Sequence, residues 1–107
     1  MVNASAIAFN ALGDPTRRLI FEKLRGKKLA VSEITAGLLV SRPAVSQHLK
    51  VLKEAKLIEM YKKGTQSICQ INDEGVLAMR SYLDLFWSEA LASFKQVAEE
   101  IEKTTKI

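Results

Sequence analysis

SRPAVSQHLKVLKEAKLI, residues 41–58, reads as a helix with one face for burial and one held outward. Ser41 is a good N-cap, because its hydroxyl can accept a bond from an unpaired backbone N–H one turn in. Pro43 falls in the first turn, where its missing N–H costs nothing. Val45, Leu49, Leu52 and Leu57 make an apolar face at helical spacing. The other face shows Arg42, Ala44, Ser46, Gln47, His48 and Lys50, small or hydrogen-bonding groups with cations beside them. A helix that buries one face and points short polar groups outward from its N-terminal half suits a DNA major groove.

The flanking residues fit the same plan. Upstream, Ser32 to Leu39 reads as a short helix with Ile34 and Leu38 inward, linked to the first through Leu39, Val40 and Ser41. Two helices joined by so short a turn match a helix-turn-helix. Leu39 stands near the turn position where glycine is common. Downstream, the pattern changes to period two: Ile58 and Met60 alternate with Glu59 and Tyr61. Lys62-Lys63-Gly64-Thr65 makes a turn, Ile68 and Ile71 lie in the return segment, and Asn72-Asp73 closes it. That is a β-hairpin with a basic tip, a wing.

Two further helices precede this unit. Asn3 to Leu12 carries Ile7, Ala8, Ala11 and Leu12 on one side, and Gly13 is expected to end it in a left-handed conformation. Asp14-Pro15 then supplies an N-cap followed by proline at the first helical position, opening a helix with Leu19, Ile20 and Leu24 inward. Gly26-Lys27-Lys28 breaks it. After the hairpin, Glu74 to about Lys103 is helical. Leu83, Trp87, Ala90, Phe94, Val97 and Ile101 repeat at spacings of 4, 3, 4, 3 and 4, a 3.5-residue period. Tyr82, Phe86 and Leu91 widen the stripe.

Composition bounds the function. The chain has 107 residues, enough for one domain with one core, and at 48% hydrophobic and 26% charged it is ordinary globular material. No apolar run approaches the ~20 residues needed to cross a bilayer. MVNASAIAFNAL lacks a basic segment ahead of its apolar residues, so no secretory signal is expected and the cytoplasm is the default. Residues 1–72 hold 12 Lys and Arg against 5 Asp and Glu, whereas residues 73–107 hold 4 against 7. A basic body with an acidic C-terminal helix suits contact with a polyanion at one end. With one cysteine, Cys69, and one histidine, His48, neither an internal disulfide nor a zinc site is expected. No Ser-His-acid set, phosphate loop or cofactor signature appears, so an enzyme is not expected.

The segments ALGDPTRRLIFEKL (11–24), SRPAVSQHLKVLKEAKLI (41–58) and YLDLFW (82–87), in this order and spacing, resemble the ArsR/SmtB group of winged-helix repressors. The resemblance covers nearly the whole chain. It implies a mainly α fold with a small β-hairpin, a homodimer, two recognition helices in successive major grooves, wings on flanking DNA, and first and last helices in the dimer interface. Metal sensors of that group often use a Cys-x-Cys pair whose matching positions here are Ala30 and Ser32. Others use histidines on the last helix, where this chain has none. The branch without metal ligands is the one it resembles.

These readings give concrete expectations. Residues 1–107 form one winged helix-turn-helix domain with dimerisation helices at both ends. Gln47 can bond adenine bidentately, Ser46 can reach a base edge or phosphate, and Ala44 can approach a thymine methyl. Arg42 and Lys50 suit phosphate or guanine. His48 suits a hydrogen bond to phosphate or to a neighbouring side chain better than a metal. Lys62, Lys63, Thr65 and Gln66 would lie along the phosphate backbone. Cys69 suits packing in a strand better than redox sensing. Ile7, Phe9, Leu83, Trp87, Leu91, Phe94, Val97 and Ile101 would meet a second copy, because one small domain cannot cover them. The expected function is a homodimeric, sequence-specific regulator, a repressor on an inverted repeat of double-stranded DNA, with no cofactor and no membrane partner. The alternative is a winged-helix protein–protein interaction module that no longer binds DNA.

Overall fold

The computed structural model describes residues 3–105. Among these residues are five helices and a small antiparallel sheet: α1 (Ala4–Leu12), α2 (Pro15–Lys23), β1 (Leu29–Ala30), α3 (Val31–Ala36), α4 (Arg42–Glu54), β2 (Ile58–Lys63), β3 (Gln66–Ile71) and α5 (Asp73–Thr105). The local signals act as their chemistry dictates. Asn3, Asp14 and Ser41 each accept a backbone N–H in the first turn of α1, α2 and α4. Proline stands in the first turn of α2 and α4.

The core lies between the helices and the inner face of the sheet. Ala8, Ile20, Leu24, Ile34, Val45, Leu49, Leu52, Leu57, Ile58 and Cys69 are buried in it. Every element from α1 to β3 contributes at most a few of these side chains. No helix is stable alone at such lengths, so the packed faces hold the fold together.

Several local expectations are corrected. Gly13 is right-handed (φ −69°), not left-handed. The chain runs almost helically from α1 into the Asp14 cap, and the Gly13 N–H donates to the Asn10 carbonyl at 3.1 Å. A Cβ at Gly13 would stand 3.2 Å from that oxygen, so close approach explains the glycine. Leu19 is exposed rather than inward, because α2 packs through Ile20 and Leu24 alone, with Phe21 partly covered. The third helix begins at Val31 and ends at Ala36, with Gly37 as its C-cap. The link to α4 is therefore residues 37–41, longer than expected, and it leaves Leu39 fully exposed.

The wing is tighter than its sequence suggested. Lys62 and Lys63 are strand residues, paired with Ser67 and Gln66, and only Gly64 and Thr65 turn. Gly64 has φ +63°, as the first position of a two-residue type II′ hairpin turn requires. The sheet also has a third strand. β1 pairs with β3, Leu29 against Cys69 and Ala30 against Ile68, giving the order β1-β3-β2.

Leu57 is buried but lies beyond α4. The helix ends in a Schellman motif: the Leu57 N–H donates to the Leu52 carbonyl and the Lys56 N–H to the Lys53 carbonyl, both at 3.0 Å. Lys56 takes the left-handed position (φ 61°) that glycine usually fills. The start of α5 rests on this corner. The Gly75 N–H donates to the Lys56 carbonyl at 2.8 Å, and Gly75 is the buried residue of α5. From Arg80 to Thr105 the helix is exposed along its length, and the molecule measures 73 × 31 × 22 Å.

Candidate nucleic-acid interface

Burying Val45, Leu49 and Leu52 on the core turns the rest of α4 outward. Arg42, Ser46, Gln47 and Lys50 are exposed, and Ala44 and His48 are half-buried at the border of the two faces. The helix enters this region at its N-terminal end, where the Ser41 hydroxyl caps the Ala44 N–H at 3.3 Å.

The wing closes the other side. A cleft of about 300 Å³ runs between α4 and the sheet, with Arg42, Ser46, Lys50 and Lys53 on one wall and Met60 and Ser67 on the other. A second cleft of about 250 Å³ continues from it, between Ser32 and Arg42 on the helical side and Lys62, Thr65 and Gln66 on the wing. Arg42 lines both. Four cations face these clefts and no carboxylate lines either. Such a channel concentrates positive potential where a phosphate backbone would run. Lys63 is exposed on the wing outside the two linings.

The structure adds Lys53, Ser67 and Ser32 to the residues read from sequence. Lys53 is within reach of sequence reasoning, because it follows Lys50 by one helical step of three. Ser67 and Ser32 reach the cleft only through the folding of the wing against α3.

His48 meets a different neighbour. Its Nδ1 lies 4.0 Å from Asp14 Oδ2, in the cap of α2. The Arg17 backbone N–H bonded to Asp14, with the Arg17 guanidinium and the His48 imidazole nearby, holds that carboxyl below its usual range. Cys69 is fully buried, and burial pushes its thiol from 9.0 up to about 11. Among the described residues, no group of three or more His, Cys, Asp or Glu is arranged to hold a metal ion. No helix among them is long and apolar enough to cross a membrane.

A second surface lies on α5. Phe9 of α1 stacks edge-on against Tyr82, with centroids 5.6 Å apart, and Tyr82 meets Phe86 in the same way at 5.1 Å. Beside them a mostly apolar groove of about 690 Å³ is lined by Val76, Met79, Leu83, Phe86, Trp87 and Ala90, with Arg80 and Asp84 among them. Trp87 is 65% and Phe94 73% exposed, and Ile7, Leu83, Leu91, Val97 and Ile101 are also open to solvent.

The profile of the family described as "Bacterial regulatory protein, arsR family" matches residues 14–60. The chain is 48% identical over 92 residues to the HTH-type transcriptional regulator Rv2034 of Mycobacterium tuberculosis, covering 86% of each chain. It is 39% identical over 56 residues to the transcriptional repressor SdpR of Bacillus subtilis, covering 52% of this chain and 62% of that one. Among solved structures, an ArsR-like transcriptional regulator from Rhodococcus sp. RHA1 superposes with a TM-score of 0.71 at 30% identity, covering 89% of this chain and 92% of that one.

Proposed function

The chain belongs to the arsR family of bacterial regulatory proteins and is a DNA-binding transcriptional regulator, and from that premise we propose that it represses transcription as a homodimer bound to an inverted repeat. The observation that carries this reading is the convergence of Arg42, Ser46, Lys50 and Lys53 of α4 with Lys62, Thr65 and Gln66 of the wing on clefts without a lining carboxylate. Gln47 and Ser46 read base edges, and Ala44 packs near a thymine methyl. Arg42, Lys50 and the wing residues Lys62, Lys63, Thr65 and Gln66 hold phosphates, which orient the protein without reading sequence. His48 borders this face from its buried side.

The whole chain acts as one winged helix-turn-helix domain whose end helices build the dimer. Ile7 and Phe9 on α1, with Leu83, Trp87, Leu91, Phe94, Val97 and Ile101 on α5, are apolar and open in a single copy. Burial against a symmetry mate removes that exposure and brings in the second recognition helix. The two helices then stand about 34 Å apart, one turn of duplex. The role is binding rather than catalysis, and its place is with the DNA in the cytoplasm.

The test is selection of bound sequences from a random duplex pool, followed by Gln47→Ala on the recovered site. Loss of ~1–3 kcal/mol of discrimination at one base pair is expected for bidentate readout. Equal loss on specific and random DNA would make Gln47 a backbone contact. Recovery of no preferred sequence would sink the operator reading and leave the interaction module.

A further inference from the structure

Helices α2 and α4 meet at the carboxylate of Asp14, beside the end of α1. One oxygen, Oδ2, accepts the Arg17 N–H at 2.9 Å and closes the first turn of α2. The Arg17 side chain turns back to α1, where Nε donates to the Ala11 carbonyl at 2.7 Å and Nη2 to the Asn10 carbonyl at 3.5 Å. These are carbonyls of the last turn of α1, where a cation also meets the favourable end of the helix dipole. From the other side, the His48 Nδ1 on α4 faces the same Oδ2 at 4.0 Å. His48 directly follows Gln47 in the chain, and its side chain is only 21% exposed.

We infer that His48 is a positioning residue: its imidazole, set against Asp14, fixes how α4 sits on the corner between α1 and α2, and so aims Ser46 and Gln47. The spacing of 4.0 Å is too long for a hydrogen bond, so the contact depends on charge. Asp14 supplies the negative partner. Arg17 is the permanent cation acting on that carboxylate, and it is already engaged by the end of α1. Helix α1 carries no ionisable side chain, and the residues three and four positions from His48 on α4 are Ala44, Val45, Val51 and Leu52. Protonation of the imidazole therefore strengthens the tie between α4 and α2, with no neighbouring cation on α4 to oppose it.

The chain has one histidine. Among side chains, histidine is the ordinary responder to pH between about 5 and 8, so His48→Gln shows which part of any pH response belongs to this residue. The inference rests on the chain being a reader of duplex DNA. The probe is the duplex recovered from the random pool, with affinity followed by fluorescence anisotropy from pH 5.5 to 7.5 at fixed salt. Wild-type affinity should fall about two- to five-fold across this range, the scale of a partly exposed ion pair. His48→Gln and Asp14→Asn should each flatten the profile, and the double variant should add nothing, as for two members of one contact. Asparagine still caps a helix, so Asp14→Asn keeps α2 intact.

A direct phosphate contact by His48 would give a different pattern. Asp14→Asn would keep the pH dependence, and His48→Gln would lower the salt slope by about 0.9. Either result overturns the positioning role. Specific binding with no pH dependence overturns it as well and leaves the operator reading standing. Absence of specific binding by the wild-type protein removes both.

Discussion

A methyl group added at residue 75 sets helix propensity against packing. On propensity alone, Gly→Ala inside a helix stabilises by about 1 kcal/mol. At Gly75 the new Cβ would stand 2.7 Å from the Lys56 carbonyl oxygen, 2.8 Å from that of Ala55 and 2.9 Å from the Lys56 carbonyl carbon. All three are backbone atoms at the end of α4, so no rotamer change relieves them. Ordinary contact begins near 3.4 Å, and α5 must retreat by roughly 0.7 Å. The retreat stretches the 2.8 Å bond from the Gly75 N–H to the Lys56 carbonyl. Overpacking of this kind costs about 1–3 kcal/mol and a weakened hydrogen bond up to about 1 more. After the gain in propensity, which is smaller in this first turn than in a helix interior, Gly75→Ala should be destabilising by up to about 3 kcal/mol. Urea unfolding at one fixed protein concentration measures it, because the apparent stability of the proposed dimer would depend on concentration. The midpoint should fall with an unchanged slope. A variant more stable than the wild type by the ~1 kcal/mol that propensity alone gives would refute the close seating of α5 on the end of α4.

On the wing, Lys62→Ala with Lys63→Ala should weaken binding to all duplexes and flatten the salt slope by roughly 0.9 for each phosphate no longer neutralised; an unchanged slope would put the wing away from DNA. Phe94→Asp should leave a folded protein that sediments as a monomer and binds the operator poorly, because Phe94 is 73% exposed in one copy and a carboxylate resists burial in two. Persistence of a tight dimer would rule out that face. At alkaline pH, Cys69 ionises first in the unfolded chain, since the folded thiol is held up to about 11 against 9.0. Its contribution to stability is thus present below about pH 9 and lost as pH rises toward 11. Urea midpoints from pH 8 to 11 should fall less steeply in Cys69→Ala than in wild type, and equal slopes would contradict the burial argument.

The parts legible in the sequence are those encoded locally. The Ser41 cap, Pro43 and the Val45, Leu49, Leu52 stripe specify α4 within one short window, and its outward face follows by subtraction. The period of α5 is equally self-contained. The two residues of β1 have no period to read, since their strand identity comes from pairing with Ile68 and Cys69. The end of α4 is hard to read because a lysine, not a glycine, takes the left-handed corner at residue 56. Asp14 and His48 are distant in the chain, and Gly75 gives no turn signal; both contacts exist only after the helices pack. Lys53 is available from spacing alone, whereas Ser32 and Ser67 join the cleft through tertiary folding.

The join between Gly75 and Lys56 makes a long arm of α5. Taken as a rigid rod, the helix from Gly75 to Ile101 is about 39 Å at 1.5 Å per residue. A swing of about 5° at the joint carries Ile101 through roughly 3.4 Å. In reverse the arm works as a reduction gear: roughly 1 Å of jostling at its tip reaches the end of α4 as only about 1.5°. On that leverage alone, small disturbances far along α5 would turn α4 little, and turning α4 through several degrees would correspond to a displacement of several ångströms at the tip. A pair of spin labels on Glu99 of the two copies of the proposed dimer would read that displacement with several-fold gain over labels placed on α4 itself.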